Sequence, residues 1–288
     1  MAHRVQLVNQ HQRGLTGSHR GGESVGFSED RTALVAAAQM GSVRLRRDSQ
    51  ERAHGKTVNA HIFYLHGFAS SPSSTKARFF ERRLAQYGLT LHCPDLNAPD
   101  FETLTVSRMM SQVEQAILAL PPAPTVLIGS SLGALVAVEV AGRWSKCCAG
   151  GEAGLVAQHA IDRLVLLAPA LDFVESRERR MGREGLAQWK AAGTMAVYHH
   201  GEERTRNVHY ALYEDALKYD AFASYMDFPI LIFHGRRDES VDPAAVEAFA
   251  RSRPNVILRM LDDDHQLLAS LEEIWEETAA FLGLEGRR

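Results

Sequence analysis

The sequence predicts an α/β protein with a mostly parallel sheet, helices on both faces of that sheet, and a lid insertion before the fifth strand. From His61 onward short apolar runs alternate with amphipathic stretches, as in parallel strands covered by crossover helices. A glycine-bounded turn follows the third run, and a long polar segment precedes the fifth. These observations favour one large domain over residues 58–288.

Six runs have the length and composition of buried strands. They lie at residues 60–65, 89–93, 125–129, 163–168, 229–233 and 255–260. Amphipathic segments at 75–87, 103–119 and 267–282 predict helices, and Gly283 stands where a glycine commonly ends the last of them. We expect the six strands to form one sheet.

Two segments depart from this alternation. Residues 1–57 are rich in glycine, arginine, histidine, glutamine and serine, so we expect a disordered extension there, or a start codon placed upstream of the true one. Residues 172–227 are polar and charged with interspersed aromatic side chains. An insertion of this length between two strands is more often functional than a plain connection, and we therefore predict a mobile lid.

Composition argues against several functional classes. A formal net charge of -3 gives no general attraction to nucleic acid or to an anionic membrane. Three cysteines do not make a disulfide framework, and neither a signal peptide nor a membrane-spanning run is recognisable, so we expect a cytoplasmic protein. Zinc-helix, P-loop and dinucleotide-binding motifs are also absent, and we predict no cofactor and no metal.

The turn after the third strand carries the first chemical signal. Residues 129–133 read Gly-Ser-Ser-Leu-Gly, which matches the G-x-S-x-G elbow that lifts a nucleophilic serine above a sheet. The pentapeptide alone is a weak signal, but an apolar strand leads directly into it and a helix-forming segment leads directly out, as the motif requires. We therefore predict Ser131 as a nucleophile and an α/β-hydrolase fold around it.

A serine nucleophile needs a base and a group that orients the base, and in this fold the chain order is serine, acid, histidine. Asp238 follows the strand at 229–233 and His265 follows the strand at 255–260, both at carboxyl ends where open α/β sheets build their sites. Glu239 is the main rival acid, whereas Asp242 before a proline reads as a helix cap. The rival bases lie at strand ends: His66 and His234.

The remaining candidates concern the oxyanion and the acyl group. The backbone amides of Phe68, after the first strand, and Leu132, after the nucleophile, are the predicted oxyanion donors. Trp189 and Tyr213 in the lid are candidate substrate-binding residues. The alternative for both aromatic residues is a small core internal to the lid.

The chain resembles the YqiA-type esterases of the α/β-hydrolase superfamily over about residues 59–283. The resemblance rests on YLHGFASSPSSTKA, on IGSSLGAL, and on HGRRDESVDP with LDDDHQLL near the end. It implies metal-free hydrolysis of acyl esters or thioesters by Ser131, Asp238 and His265. The lid is longer than in the most compact members of that group.

We therefore expect a carboxylesterase-like enzyme that acts on a small-molecule acyl ester or thioester through an acyl-enzyme, with no nucleic-acid or membrane partner and a homodimer as one possible state. One alternative is an acyl-CoA or other thioesterase. Its phosphate contacts would come from the helix at 75–87, through Lys76, Arg78, Arg82 and Arg83. An alternative of another class is a non-catalytic small-molecule-binding scaffold on the same fold.

Overall fold

The computed structural model describes residues 60–149 and 154–284. Its strands are β1 (His61–Leu65), β2 (Leu91–His92), β3 (Thr125–Ser130), β4 (Ile161–Leu167), β5 (Thr194–His199), β6 (Arg204–His209), β7 (Ile230–Gly235) and β8 (Val256–Leu261). Its α-helices are α1 (Thr75–Ala85), α2 (Val106–Leu118), α3 (Leu132–Ala149), α4 (Gly154–Gln158), α5 (Phe173–Ala192), α6 (Ala211–Ala216), α7 (Pro243–Arg251) and α8 (Leu271–Phe281). The predicted extension at residues 1–57 lies outside the described residues.

Six of these strands form one parallel sheet in the order β2-β1-β3-β4-β7-β8. All six predicted strands are present, with boundaries shifted by a few residues. β3 and β4 lie at the centre, so the turn after β3 reaches the middle of the sheet's carboxyl edge. The predicted α/β-hydrolase fold class is confirmed.

The central strands are apolar throughout because both faces of the sheet are covered. On one face Phe63 and Leu127 pack into a core shared with α2 and α3. On the other face Tyr64 and Ile128 pack into a core shared with α1 and α8. Alternate residues of each strand thus enter different cores, which explains continuous apolar runs in place of polar alternation.

Two helix boundaries lie where the sequence predicts them, and each has the capping residue expected there. Asp242 caps α7, where its Oδ1 accepts the Ala244 amide hydrogen at 2.9 Å and Pro243 occupies the first helical position. Gly283 follows α8 with a φ of 68°, in the left-handed region that glycine adopts without a Cβ penalty. The chain therefore begins α7 and ends α8 where the sequence indicates.

The insertion between β4 and β7 has regular structure of its own. It contains α5, the antiparallel hairpin of β5 and β6, and the short helix α6. Gly182 interrupts α5 with a φ of 64° and a ψ of 176°, so the helix has two halves that meet at a kink. The first half of α5 follows shortly after β4 in the sequence. Among the described helices, none is long and apolar enough to cross a bilayer.

Candidate active site

Ser131 lies on a sharp turn between β3 and α3. Its φ is 53°, a left-handed conformation that non-glycine residues rarely adopt, and its amide donates to the Leu167 carbonyl at 2.9 Å. A Cβ on Gly133 would lie 2.2 Å from the Leu65 carbonyl oxygen, and one on Gly129 would lie 2.5 Å from a Cα atom in α3. The turn can form only because both positions lack side chains.

Ser131, His265 and Asp238 form a continuous chain of contacts. The Oγ of Ser131 is 3.0 Å from Nε2 of His265, and Nδ1 of the same ring is 2.7 Å from Oδ2 of Asp238. The three residues follow β3, β8 and β7 respectively, so neighbouring parts of one sheet edge bring them together. Residues distant in sequence thus have the geometry of a nucleophile, a base and an orienting acid.

Asp238 is held in one orientation by its surroundings. Its Oδ1 accepts hydrogen bonds from the amides of Ser240 at 2.8 Å and Val241 at 2.9 Å, which leaves Oδ2 to His265. Burial alone would raise the pKa of this carboxyl, but the hydrogen bonds to His265 and to the two amides outweigh burial and hold the pKa below its ordinary value. Asp238 is therefore a carboxylate that faces the imidazole.

The rival acid and bases have other surroundings. Glu239 is exposed to solvent, whereas Asp238 is buried. His66 is buried beside β1, where its Nε2 accepts the amide hydrogen of Leu96 at 3.1 Å. His234 is buried at the end of β7, with Nε2 3.3 Å from the Val241 carbonyl. Each of these two rings thus has a structural partner and does not contact Ser131.

The two residues whose backbone amides are predicted oxyanion donors lie beside Ser131. Phe68 and Leu132 both line the cavity that contains the Ser131 side chain. Among the described residues neither amide donates to a protein acceptor, and Leu132 is the first residue of α3, where the helix leaves its amides unpaired. Free donors at this place are suited to a negatively charged oxygen.

The cavity over Ser131 and His265 has a volume of about 720 Å³. One wall extends from Gly67, in the loop after β1, to Lys76 at the start of α1. Of the four basic residues in the helix predicted at 75–87, only Lys76 lines the cavity. Residues of the insertion also line the cavity, among them Phe173 of α5 and Tyr198 of β5. The insertion therefore borders the cavity that contains Ser131, and its role as a mobile lid stays a prediction.

The two aromatic residues predicted to bind substrate lie elsewhere, and this part of the prediction is corrected. Trp189 and Tyr213 do not line the cavity, and they are only 3% and 6% exposed. The indole of Trp189 donates to the Val208 carbonyl at 3.1 Å, and its ring packs edge-on against Tyr210. These side chains pack between α5, α6 and the hairpin, in the same buried cluster as Phe63 and Leu127, so their packing is structural but is not confined to the insertion.

We expect the Trp189→Ala variant to lose about 3–5 kcal/mol of unfolding free energy, because it empties a buried site and removes the hydrogen bond from the indole to the Val208 carbonyl. Urea unfolding measures this loss. The matched control is Tyr198→Ala, since Tyr198 is 54% exposed and its removal should change stability by no more than about 0.5 kcal/mol. A Trp189→Ala variant of unchanged stability would contradict the structural role.

The fold and the elbow at Ser131 define a member of the α/β-hydrolase superfamily. Within it, the chain belongs to the uncharacterised protein family UPF0227, whose model matches residues 61–283. This match confirms the resemblance to the YqiA-type group. No curated protein matches the sequence.

Solved structures share the fold at low sequence identity. A proposed hydrolase from Agrobacterium vitis S4 is 22% identical with a TM-score of 0.67, over 77% of this chain and 88% of that one. Mouse alpha/beta hydrolase domain-containing protein 10 is 19% identical with a TM-score of 0.61, over 80% and 93%. Est1E from Butyrivibrio proteoclasticus, bound to ferulic acid, is 19% identical with a TM-score of 0.59, over 76% and 88%.

Proposed function

We propose that this protein is a serine hydrolase that cleaves carboxylic esters through an acyl-enzyme intermediate. The contact chain from Ser131 through His265 to Asp238 carries the proposal, because it joins a hydroxyl, an imidazole and a buried carboxylate in one line. The same residues can act on a thioester, since the reacting carbonyl is common to both substrates.

In the first half of the reaction Ser131 Oγ attacks the substrate carbonyl carbon while Nε2 of His265 takes the hydroxyl proton. The carbonyl oxygen becomes an oxyanion, which the amides of Phe68 and Leu132 stabilise. When the tetrahedral intermediate collapses, the bond to the leaving group breaks and His265 returns the proton to the departing alcohol or thiol. Ser131 is then esterified by the acyl group.

In the second half a water molecule replaces the alcohol. His265 takes a proton from the water as its oxygen attacks the acyl carbon, and the second tetrahedral intermediate expels Ser131 Oγ, which recovers its proton from His265. The products are a carboxylic acid and free enzyme. Throughout, Asp238 keeps the proton of the neutral ring on Nδ1, so that Nε2 is free to accept.

A binding scaffold on the same fold would not need the strained conformation of Ser131 or the paired histidine. Labelling with a fluorophosphonate probe separates the two functions, because the probe reacts covalently only with an activated serine. We expect the native chain to be labelled and the His265→Ala variant to be labelled at least about 100-fold more slowly. An unlabelled native chain, or equal labelling of the variant, would contradict the proposal.

A further inference from the structure

The cavity over Ser131 has an excess of positive charge. Lys76, Arg177 and Arg180 line it, and among its described lining residues the one carboxylate is the exposed Glu203. Two of the cations come from the first half of α5, on the wall that the insertion supplies. A cavity for purely apolar acyl chains would have no use for three cations, because burying a charge without a partner is unfavourable.

Arg177 is confined by aromatic side chains. Its guanidinium carbon lies 5.2 Å from the ring centre of Phe68 and 5.1 Å from that of Phe173, so two aromatic rings hold it in place. Among the described residues Arg177 makes no ion pair, whereas Arg179, two positions along the same helix, pairs with Asp172. Within the described parts of the chain its guanidinium donors thus have no protein acceptor, and they are free to bind a ligand oxygen.

The electrostatic surroundings favour an incoming anion. Burial, and secondly the charge of Arg180, lower the pKa of Arg177 to about 10. Of the residues that the structure describes, no carboxylate opposes this effect. Burial likewise lowers the pKa of Lys76 to about 8, against the attraction of Asp238 and other nearby carboxylates. An anion between these groups would offset the cost of confining them.

The position of Arg177 connects this charge to the reaction. The side chain under its guanidinium belongs to Phe68, which lines the same cavity as Ser131 and is a predicted oxyanion donor. On another side of the cavity Lys76 donates from Nζ to the carbonyl of Gln266 at 2.9 Å, and Gln266 directly follows His265. The cations therefore border the space that a bound ester or thioester would fill.

We propose that the natural substrate carries an anionic group, a carboxylate or a phosphate, and that Arg177 binds this group with support from Arg180. The inference rests on the proposed function and names the substrate class of the same site. It also makes Arg177 a specificity-determining residue, because the carbonyl chemistry at Ser131 is the same for charged and neutral substrates.

Matched substrates test the proposal. The first pair is the 4-nitrophenyl monoester of adipic acid, which has a free carboxylate on the acyl side, and its methyl ester, which is neutral. The second pair is butyryl-CoA, with phosphates on the leaving group, and butyryl-N-acetylcysteamine, which lacks them. We expect kcat/KM to be at least about tenfold higher for the anionic member of one pair. The pair that shows the preference identifies the source of the charge.

The variant Arg177→Gln should reduce the ratio of kcat/KM for the anionic substrate to kcat/KM for its neutral partner by about tenfold or more. Arg177→Lys should retain part of the preference for the anionic substrate. Arg183→Gln is the matched control, since Arg183 lies on the same helix, is exposed and does not line the cavity. Its ratio should equal that of the native chain. A native preference for both neutral substrates, or a ratio that Arg177→Gln leaves unchanged, would overturn the proposal.

Binding and labelling keep this test separate from the proposed function. In Ser131→Ala, which cannot turn over, calorimetry should show that the adipate monoester or butyryl-CoA binds more tightly than its neutral partner, and that a second change, Arg177→Gln, removes the difference. Equal binding would refute anion recognition. Fluorophosphonate labelling of Ser131 without any anionic preference would refute this inference alone, whereas failure of labelling would refute the proposed function.

Discussion

Replacing Ser131 with alanine is expected to lower kcat for 4-nitrophenyl butyrate by about 10⁶-fold, the loss that follows removal of the nucleophile in serine hydrolases that use a triad. No other hydroxyl contacts Nε2 of His265 among the described residues. Urea unfolding should give nearly the native midpoint, because the removed oxygen makes its side-chain hydrogen bond only with His265.

Ser130→Ala is the matched control for this change. Ser130 is the adjacent hydroxyl, but it is buried at the end of β3 and is 3% exposed. We expect its removal to change kcat by less than about tenfold, since it makes no contact with His265. If Ser130→Ala were the inactive variant and Ser131→Ala kept its activity, the register of the elbow would be wrong.

Asp238→Asn is expected to lower kcat by about 10⁴-fold with little change in the fold. The amides of Ser240 and Val241 donate to Oδ1, so they should keep the asparagine carbonyl oxygen at that position and turn its NH₂ group toward His265. The NH₂ group donates, and Nδ1 of the ring must then accept. The ring proton moves to Nε2, which can no longer take the proton of Ser131.

The neighbouring acid provides the control for this variant. Glu239→Gln makes the same chemical change one position away, on an exposed side chain, and should leave kcat within about threefold of the native value. Steady-state kinetics with one ester substrate compare the two variants. Activity that survives Asp238→Asn but not Glu239→Gln would assign the orienting role to Glu239.

Much of the fold could be predicted because its signals are local and repeated. Each strand of the sheet is a short apolar run, and β3 leads into glycines at positions where any side chain would collide with the backbone. The positions of Ser131, Asp238 and His265 at strand ends could be predicted for the same reason. Parallel strands bring their carboxyl ends to one edge, so residues far apart in sequence become neighbours there.

The internal structure of the insertion could not be predicted in this way. Its hairpin has polar residues on both strands, and the pattern of β6 shows one fully buried residue, Val208, so no regular alternation marks it. The role of Trp189 depends on contacts with α6 and the hairpin. Arg177 lies within a run of charged residues, and only the packing of Phe68 and Phe173 distinguishes it from the arginines around it.

The division of the chain into a sheet edge and an insertion has an evolutionary consequence. None of Ser131, His265 and Asp238 lies in the insertion, yet the insertion forms the wall that carries Arg177 and Tyr198. Mutations in that wall can accumulate without altering the three residues that we propose as the triad, provided that the packing around Trp189 stays intact. Descendants of one ancestral protein can therefore diverge in the substrates they bind while they keep the same type of reaction. We expect the sequence differences that accompany this divergence to lie in the insertion.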